Sequence, residues 1–232
     1  MPGAIVEFRR PDGKTAPGYL AEGPSAGAPG IVMLEEWWGV DDRIKATAER
    51  LASHGFTVLV PDLFRGRIAA KGDEANHLME GLDFEDAAMQ DTIGAARYLR
   101  ERGAQKVGVI GFCMGGALAM IAAMHGNEFD AASIWYGYPP AEAGDASKIS
   151  IPLQGHWALD DGFFDIKGVD ALEHKLTAAG RTPEFHRYDA KHGFYNTGEP
   201  GEGGLGHYHR EHAETAWRRT IEFFDRTLRP TS

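Results

Sequence analysis

Apolar positions along this chain follow two rhythms. Short β-rich runs of apolar residues occur at 5–8, 18–20, 31–34, 57–60, 107–112, 132–136, 151–154 and 184–188. Between the later runs, apolar residues recur at helical spacing over 43–53, 84–101, 114–124, 168–179 and 207–228. A strand pair followed by alternating strands and helices predicts an α/β fold, a mostly parallel, doubly wound sheet with helices on both faces. The chain has no internal repeat or low-complexity tract, and the glycine-rich stretches at 23–30 and 198–206 read as loops, so residues 1–232 are expected to form one domain.

Ligands of such sheets bind beyond the carboxyl ends of the strands. Four runs end in chemistry-bearing residues. Residues 31–34 lead into Glu35-Glu36-Trp37-Trp38-Gly39, and 107–110 into Gly111-Phe112-Cys113. Residues 151–154 lead into 155–161, and 184–188 into Asp189-Ala190-Lys191-His192. All four are expected to open onto one rim.

Gly111-Phe112-Cys113-Met114-Gly115 is a nucleophile-elbow pattern with Cys in place of Ser. The strand must turn sharply into the helix, and side chains two residues to either side of the nucleophile would strike neighbouring backbone, so glycine is required there. The helix N-terminus favours a negative sulfur, and the Met114 backbone N–H is placed to donate to a developing oxyanion. The competing reading is a small buried core cysteine.

A cysteine that attacks a carbonyl needs a base, and the base needs a group to fix its tautomer. His192 follows the last strand and lies downstream of Cys113, as the order nucleophile, acid, histidine demands. The other histidines sit at helix ends, on helix faces or in strands. Asp160 and Asp161 both fall between nucleophile and base, and order alone does not separate them. Glu35 and Glu36, straight after a buried strand, each need a partner or a shifted pKa. One of them either handles the thiol proton or makes a structural bond, and the Trp37 N–H would be the second oxyanion donor.

Composition narrows the partners. Hydrophobic residues make up 43% and charged residues 25%, which suits a packed soluble domain. The net charge of −10, from 34 acidic and 24 basic residues, argues against nucleic acid and anionic membrane as partners. A single Cys excludes an internal disulfide, no apolar run approaches membrane length, and the first residues lack a secretory pattern, so the expectation is a cytoplasmic protein, monomeric or a small homo-oligomer.

Over nearly its whole length the chain resembles the dienelactone hydrolases (carboxymethylenebutenolidases), which have the α/β-hydrolase fold. The resemblance rests on Glu36-Trp37-Trp38-Gly39-Val40, Val60-Pro61-Asp62-Leu63, the stretch Gly111 to Ala119, the region of Asp161, and His192-Gly193-Phe194. It implies a Cys113, Asp161, His192 triad, with Asp161 chosen over Asp160 by the following Phe163-Phe164. It further implies Glu36 as the group that activates the thiol when substrate arrives, oxyanion donors at Trp37 and Met114, and no cofactor or metal. The arginines that clamp a substrate carboxylate in members acting on dienelactone are missing: Asn196 stands at one position, and 68–73 reads Ile-Ala-Ala-Lys-Gly-Asp at the other. An amide does not replace a bidentate guanidinium. Arg65 or Arg67 is the expected substitute, and Trp38 and Tyr136, among the aromatics Trp37, Trp135 and Tyr138, are expected to line the pocket or to pack in the core.

The expected activity is hydrolysis of a lactone or small carboxylic ester through a Cys113 thioester. Two rival readings are a catalytically weak thiol sensor or ligand-binding protein built on the same elbow, and a metallohydrolase using His207, His209, His212 and Glu211. The last is weakened because helical spacing lets 209 and 212 share a face but not 207 and 209.

Overall fold

The structure is a computed structural model that describes residues 3–229. Its strands form one eight-stranded sheet in the order β1-β2-β4-β3-β5-β6-β7-β8. The strands are β1 (Ala4–Arg9), β2 (Thr15–Ala21), β3 (Gly30–Leu34), β4 (Thr57–Pro61), β5 (Val107–Phe112), β6 (Ala131–Trp135), β7 (Leu153–Asp160) and β8 (Glu184–Lys191). The initial pair β1 and β2 is antiparallel, β2 joins β4 antiparallel, and β4, β3 and β5 to β8 run parallel.

Alternation along the strands assigns each residue to a face. Ile31 and Met33 of β3, with Val58 and Val60 of β4, pack under α1 (Asp42–Ser53) and α7 (Arg210–Leu228). Val32, Leu34 and Leu59 point the other way, onto the side covered by α2 (Gly72–Glu80), α4 (Ile93–Glu101), α5 (Met114–His125) and α6 (Ile166–Ala178). Helices therefore cover both faces, as expected for strands that are apolar on both sides. Asp41 starts α1 by accepting the Arg43 and Ile44 N–H groups, which would otherwise lack partners. In α5 every residue from Met114 to Met124 is buried, so this helix sits within the core rather than on it.

The local boundaries depart from expectation in several places. The strand expected at 151–154 begins at Leu153 and continues through Asp160, because β6 and β8 pair with it on both sides and the polar His156 within it is fully satisfied by Gln154, Thr220 and Tyr188. Residues 72–80, to which the apolar spacing assigned no element, form α2. The segment 84–101 is broken into α3 (Phe84–Asp86), a π-helical stretch Ala87–Thr92 and α4. The last helix begins at Arg210, so His207 lies in the preceding loop, and His209 caps the helix by accepting the His212 N–H. Among the described residues no helix is long and apolar enough to cross a membrane.

Candidate active site

Cys113 joins β5 to α5 with φ 54° and ψ −117°, a backbone conformation that side chains rarely adopt. Close packing enforces it. A Cβ at Gly111 would lie 2.0 Å from the Gly115 carbonyl oxygen, and one at Gly115 would lie 2.5 Å from the carbonyl oxygens of Leu34 and Glu35. A third contact was not legible in the sequence: a Cβ at Gly137, after β6, would lie 1.9 Å from the Cys113 carbonyl oxygen. The Cys113 N–H donates to Trp135 at 2.9 Å, and its carbonyl accepts from Gly116 and Ala117, the first bonds of α5. The half-exposed sulfur is thus held at the positive end of that helix.

The base expected at His192 is within reach. Its Nε2 lies 3.0 Å from Cys113 Sγ, and its Nδ1 lies 2.8 Å from Asp161 Oδ2. The His192 and Asp161 side chains are only 4% and 2% exposed, so the pair sits out of water. Burial disfavours a charged imidazole, but the Cys113 sulfur and the Asp161 carboxylate outweigh it and push His192 up to about 10. The second Asp161 oxygen accepts the N–H groups of Phe163 and Phe164, at 2.8 and 2.9 Å, which locks the carboxylate in place. Asp160, one residue earlier, is 78% exposed and faces Lys191 at 3.9 Å. The pleat of β7 and the turn after it separate two acids that the order of the chain could not. His207, the metal ligand of the metallohydrolase reading, instead donates from Nδ1 to the His192 carbonyl at 3.0 Å and so ties the loop to that residue. Among the described residues no group of three or more His, Cys, Asp and Glu is placed to hold a metal.

Met114 is the first residue of α5, so its N–H has no carbonyl one turn back, and neither it nor the Trp37 N–H donates to a described residue. Glu35 and Glu36, neighbours in sequence, face different environments. Glu35 is fully buried. Its Oε1 accepts the Leu63 N–H at 3.2 Å, and its Oε2 has no partner among the described residues. Burial, reinforced by nearby Asp62, raises its pKa well above the usual carboxylate range. Glu36 is half-buried, and desolvation raises its pKa too, against the pull of His192 and of the Asn196 amide. The Asn196 Nδ2 donates to Glu36 Oε2 in a short hydrogen bond, and Asn196 Oδ1 accepts the Gly198 N–H at 2.7 Å. Glu36 makes no hydrogen bond to the Cys113 sulfur in this arrangement.

A cavity of about 370 Å³ opens beside these residues, lined by Glu36, Trp38, Phe112, Tyr136 and Asn196 and by residues of α1. Trp38, Tyr136 and Asn196 thus all stand in its wall. The fully buried Tyr136 hydroxyl has no hydrogen-bond partner among the described residues, and its pKa is raised well above the ordinary value by burial and by the charges of Glu36 and Cys113. Arg65, the expected substitute for the missing clamp, is not among the lining residues. Its guanidinium forms a two-point pair with the buried Asp91, at 2.8 and 2.9 Å, and also donates to the Asp62 carbonyl. The carboxyl of Asp91 lies across 26 residues of sequence, so spacing gave no sign that Arg65 was committed. Arg67 donates to the Phe64 carbonyl at 3.2 Å. Trp135 is core, fully buried against Phe112 and His156.

Residues 16–228 match the dienelactone hydrolase family. The chain belongs to the dienelactone hydrolase family. It is similar to "Protein usf" of Aquifex pyrophilus, with 31% identity over 97% of this chain and 99% of the relative. It is likewise similar to the carboxymethylenebutenolidase of Rhodococcus opacus, 31% identical over 97% of this chain and 92% of the relative. Among solved structures, a dienelactone hydrolase-like promiscuous phosphotriesterase from metagenomic libraries superposes with a TM-score of 0.78, covering 99% of this chain and all of that one at 22% identity, which shows the shared α/β-hydrolase fold. As a dienelactone hydrolase family member the chain is a hydrolase of the lactone and ester type.

Proposed function

We propose that this dienelactone hydrolase family member cleaves a lactone or small carboxylic ester through a thioester on Cys113. The observation that carries the reading is the continuous contact from Cys113 Sγ to His192 to the buried Asp161, at 3.0 and 2.8 Å, on an elbow whose backbone is held in a strained conformation. His192 takes the thiol proton on Nε2 and forms a thiolate–imidazolium pair, which the Asp161 carboxylate and the start of α5 stabilise. The sulfur attacks the carbonyl carbon, and the Trp37 and Met114 N–H groups receive the oxyanion. Each such donor contributes about 10²- to 10³-fold to the rate in acyl-transfer sites. The carbon–oxygen bond then breaks while His192 returns its proton to the leaving oxygen; in a lactone the new hydroxyl stays tethered. Water, deprotonated by His192, attacks the thioester, the carbon–sulfur bond breaks, and the acid is released with Cys113 restored.

Glu36 takes part through its proximity to the base. Asn196 donates to its carboxyl, which makes no hydrogen bond to the sulfur, and a substrate that draws the amide to itself frees Glu36 to turn towards the thiol. An amide in place of a guanidinium favours a neutral ester over one bearing a carboxylate. The test is turnover of 4-nitrophenyl acetate and of a simple lactone by Cys113→Ala. Loss of measurable turnover is expected, whereas retention of wild-type rates would overturn the reading. Stoichiometric acylation of the wild-type Cys113 without turnover would assign it to sensing or binding instead.

A further inference from the structure

Two features stand near the Cys113 and His192 pair, and they differ in chemistry. One is the cavity, whose wall includes Glu36, Phe112, Tyr136 and Asn196. The other is Phe163, which is 58% exposed, an unusual position for a large aromatic ring, with its centroid 4.8 Å from that of His192. The half-buried Trp37 stands edge-on to Phe163 at 6.1 Å and to the buried Trp38 at 5.3 Å. Neither Phe163 nor Trp37 lines the cavity. The Phe163 ring is held in register with the chemistry, because its N–H is bound by the same Asp161 carboxylate that orients His192.

We infer that the site is divided at the Cys113–His192 pair, with the cavity taking the acyl part of the ester and the aromatic rim of Phe163 and Trp37 taking a flat, aromatic leaving group. The inference rests on the acyl-transfer reading above and goes on to name which half of the substrate binds where. His192 Nε2 must come within hydrogen-bond reach of the leaving oxygen to protonate it. The atoms attached to that oxygen therefore project past the imidazole, towards the ring packed against it. The acyl carbon chain then takes the cavity, whose wall includes Phe112. Aromatic rings prefer offset or edge-on partners, and the exposed Phe163 ring, already edge-on to Trp37, offers a further ring such a partner. Exposure of the rim suits the reaction as well, because the alcohol departs from it directly into solvent while the acyl group stays covered.

The consequence is kinetic. Acylation depends on the rim, while breakdown of the thioester, which has already lost its leaving group, does not. The test compares phenyl acetate with ethyl acetate, which share an acyl-enzyme and differ only in the leaving group. In Phe163→Ala the ratio of kcat/KM for the phenyl ester to that for the ethyl ester is expected to fall about tenfold, the worth of one aromatic contact with its buried area. Phe163→Tyr is expected to restore most of the ratio, and acetyl-enzyme breakdown, measured after rapid mixing, is expected to change less than phenyl ester acylation. An unchanged ratio in Phe163→Ala, or an equal loss for both esters, would overturn the assignment of the rim while leaving the Cys113 chemistry standing. Undiminished turnover by Cys113→Ala would remove the chemistry itself, so the two failures are distinguishable.

Discussion

Gly137 offers a direct test of how the elbow positions Cys113. An alanine there would bring a methyl carbon to 1.9 Å from the Cys113 carbonyl oxygen, 2.7 Å from the carbonyl carbon and 3.1 Å from Cα. The first contact falls more than an ångström short of the 3.0 Å that real Cβ atoms respect. Neither side yields easily. The Cys113 carbonyl receives the N–H groups of Gly116 and Ala117 in the first turn of α5, and the Cys113 N–H is bound to the Trp135 carbonyl. On the facing strand Tyr136 already sits at φ 37°, with its N–H bound to His156. Relief therefore requires the elbow to move by roughly an ångström, a displacement that costs about 10²-fold in rate when it misaligns reacting groups. Overpacking of this kind costs about 1–3 kcal/mol of stability, or about 2–12 °C in Tm for a domain of this size. The assay is kcat/KM on an activated ester beside a thermal melt, with Gly162→Ala as the control. Gly162 adjoins Asp161, yet a Cβ on it would meet nothing within 4 Å. Wild-type kcat/KM in Gly137→Ala, even with a lowered Tm, would refute the reasoning, because the elbow would then tolerate displacement without losing alignment.

Two further outcomes follow from the buried carboxyls. Asp161→Asn removes the charge from a pair that is almost completely out of water, and a loss of about 3–5 kcal/mol predicts kcat/KM lower by about 10²- to 10³-fold or more; Asp160→Asn, on an exposed side chain, is expected to stay within about twofold. Equal effects in the two variants, measured on the same ester, would contradict the assigned acid. Glu35 keeps its proton in the folded chain because burial raises its pKa, whereas the unfolded chain ionises it in the ordinary carboxylate range. The folded state then binds more protons than the unfolded one, and stability falls as pH rises above that ordinary range. Glu35→Gln keeps an oxygen for the Leu63 N–H but has no proton to lose, so its Tm advantage over wild type should grow from pH 4 to pH 8. An advantage independent of pH, read by calorimetry, would show that Glu35 does not titrate this way.

The amino-acid sequence by itself determined the parts of this protein that depend on near neighbours along the chain. The two apolar rhythms yielded a doubly wound α/β sheet, since period-two and helical spacing each record which face of a segment is buried. Gly111, Cys113 and Gly115 marked the elbow because its sterics act within five residues, and His192 could be placed on the same rim because it lies shortly after the apolar run at 184–188. Tertiary structure alone decided the matters that turn on which distant segments meet. It separated Asp161 from Asp160 through the pleat and exit turn of β7, and it committed Arg65 to Asp91. It set Glu35 and Glu36, adjacent in the chain, against Leu63 in one case and Asn196 in the other. It also placed Gly137 against Cys113, because β6 lies beside β5 in the sheet. A side chain's partner across tens of residues follows from strand order and register, and these arise from burying the whole apolar set at once rather than from any local spacing.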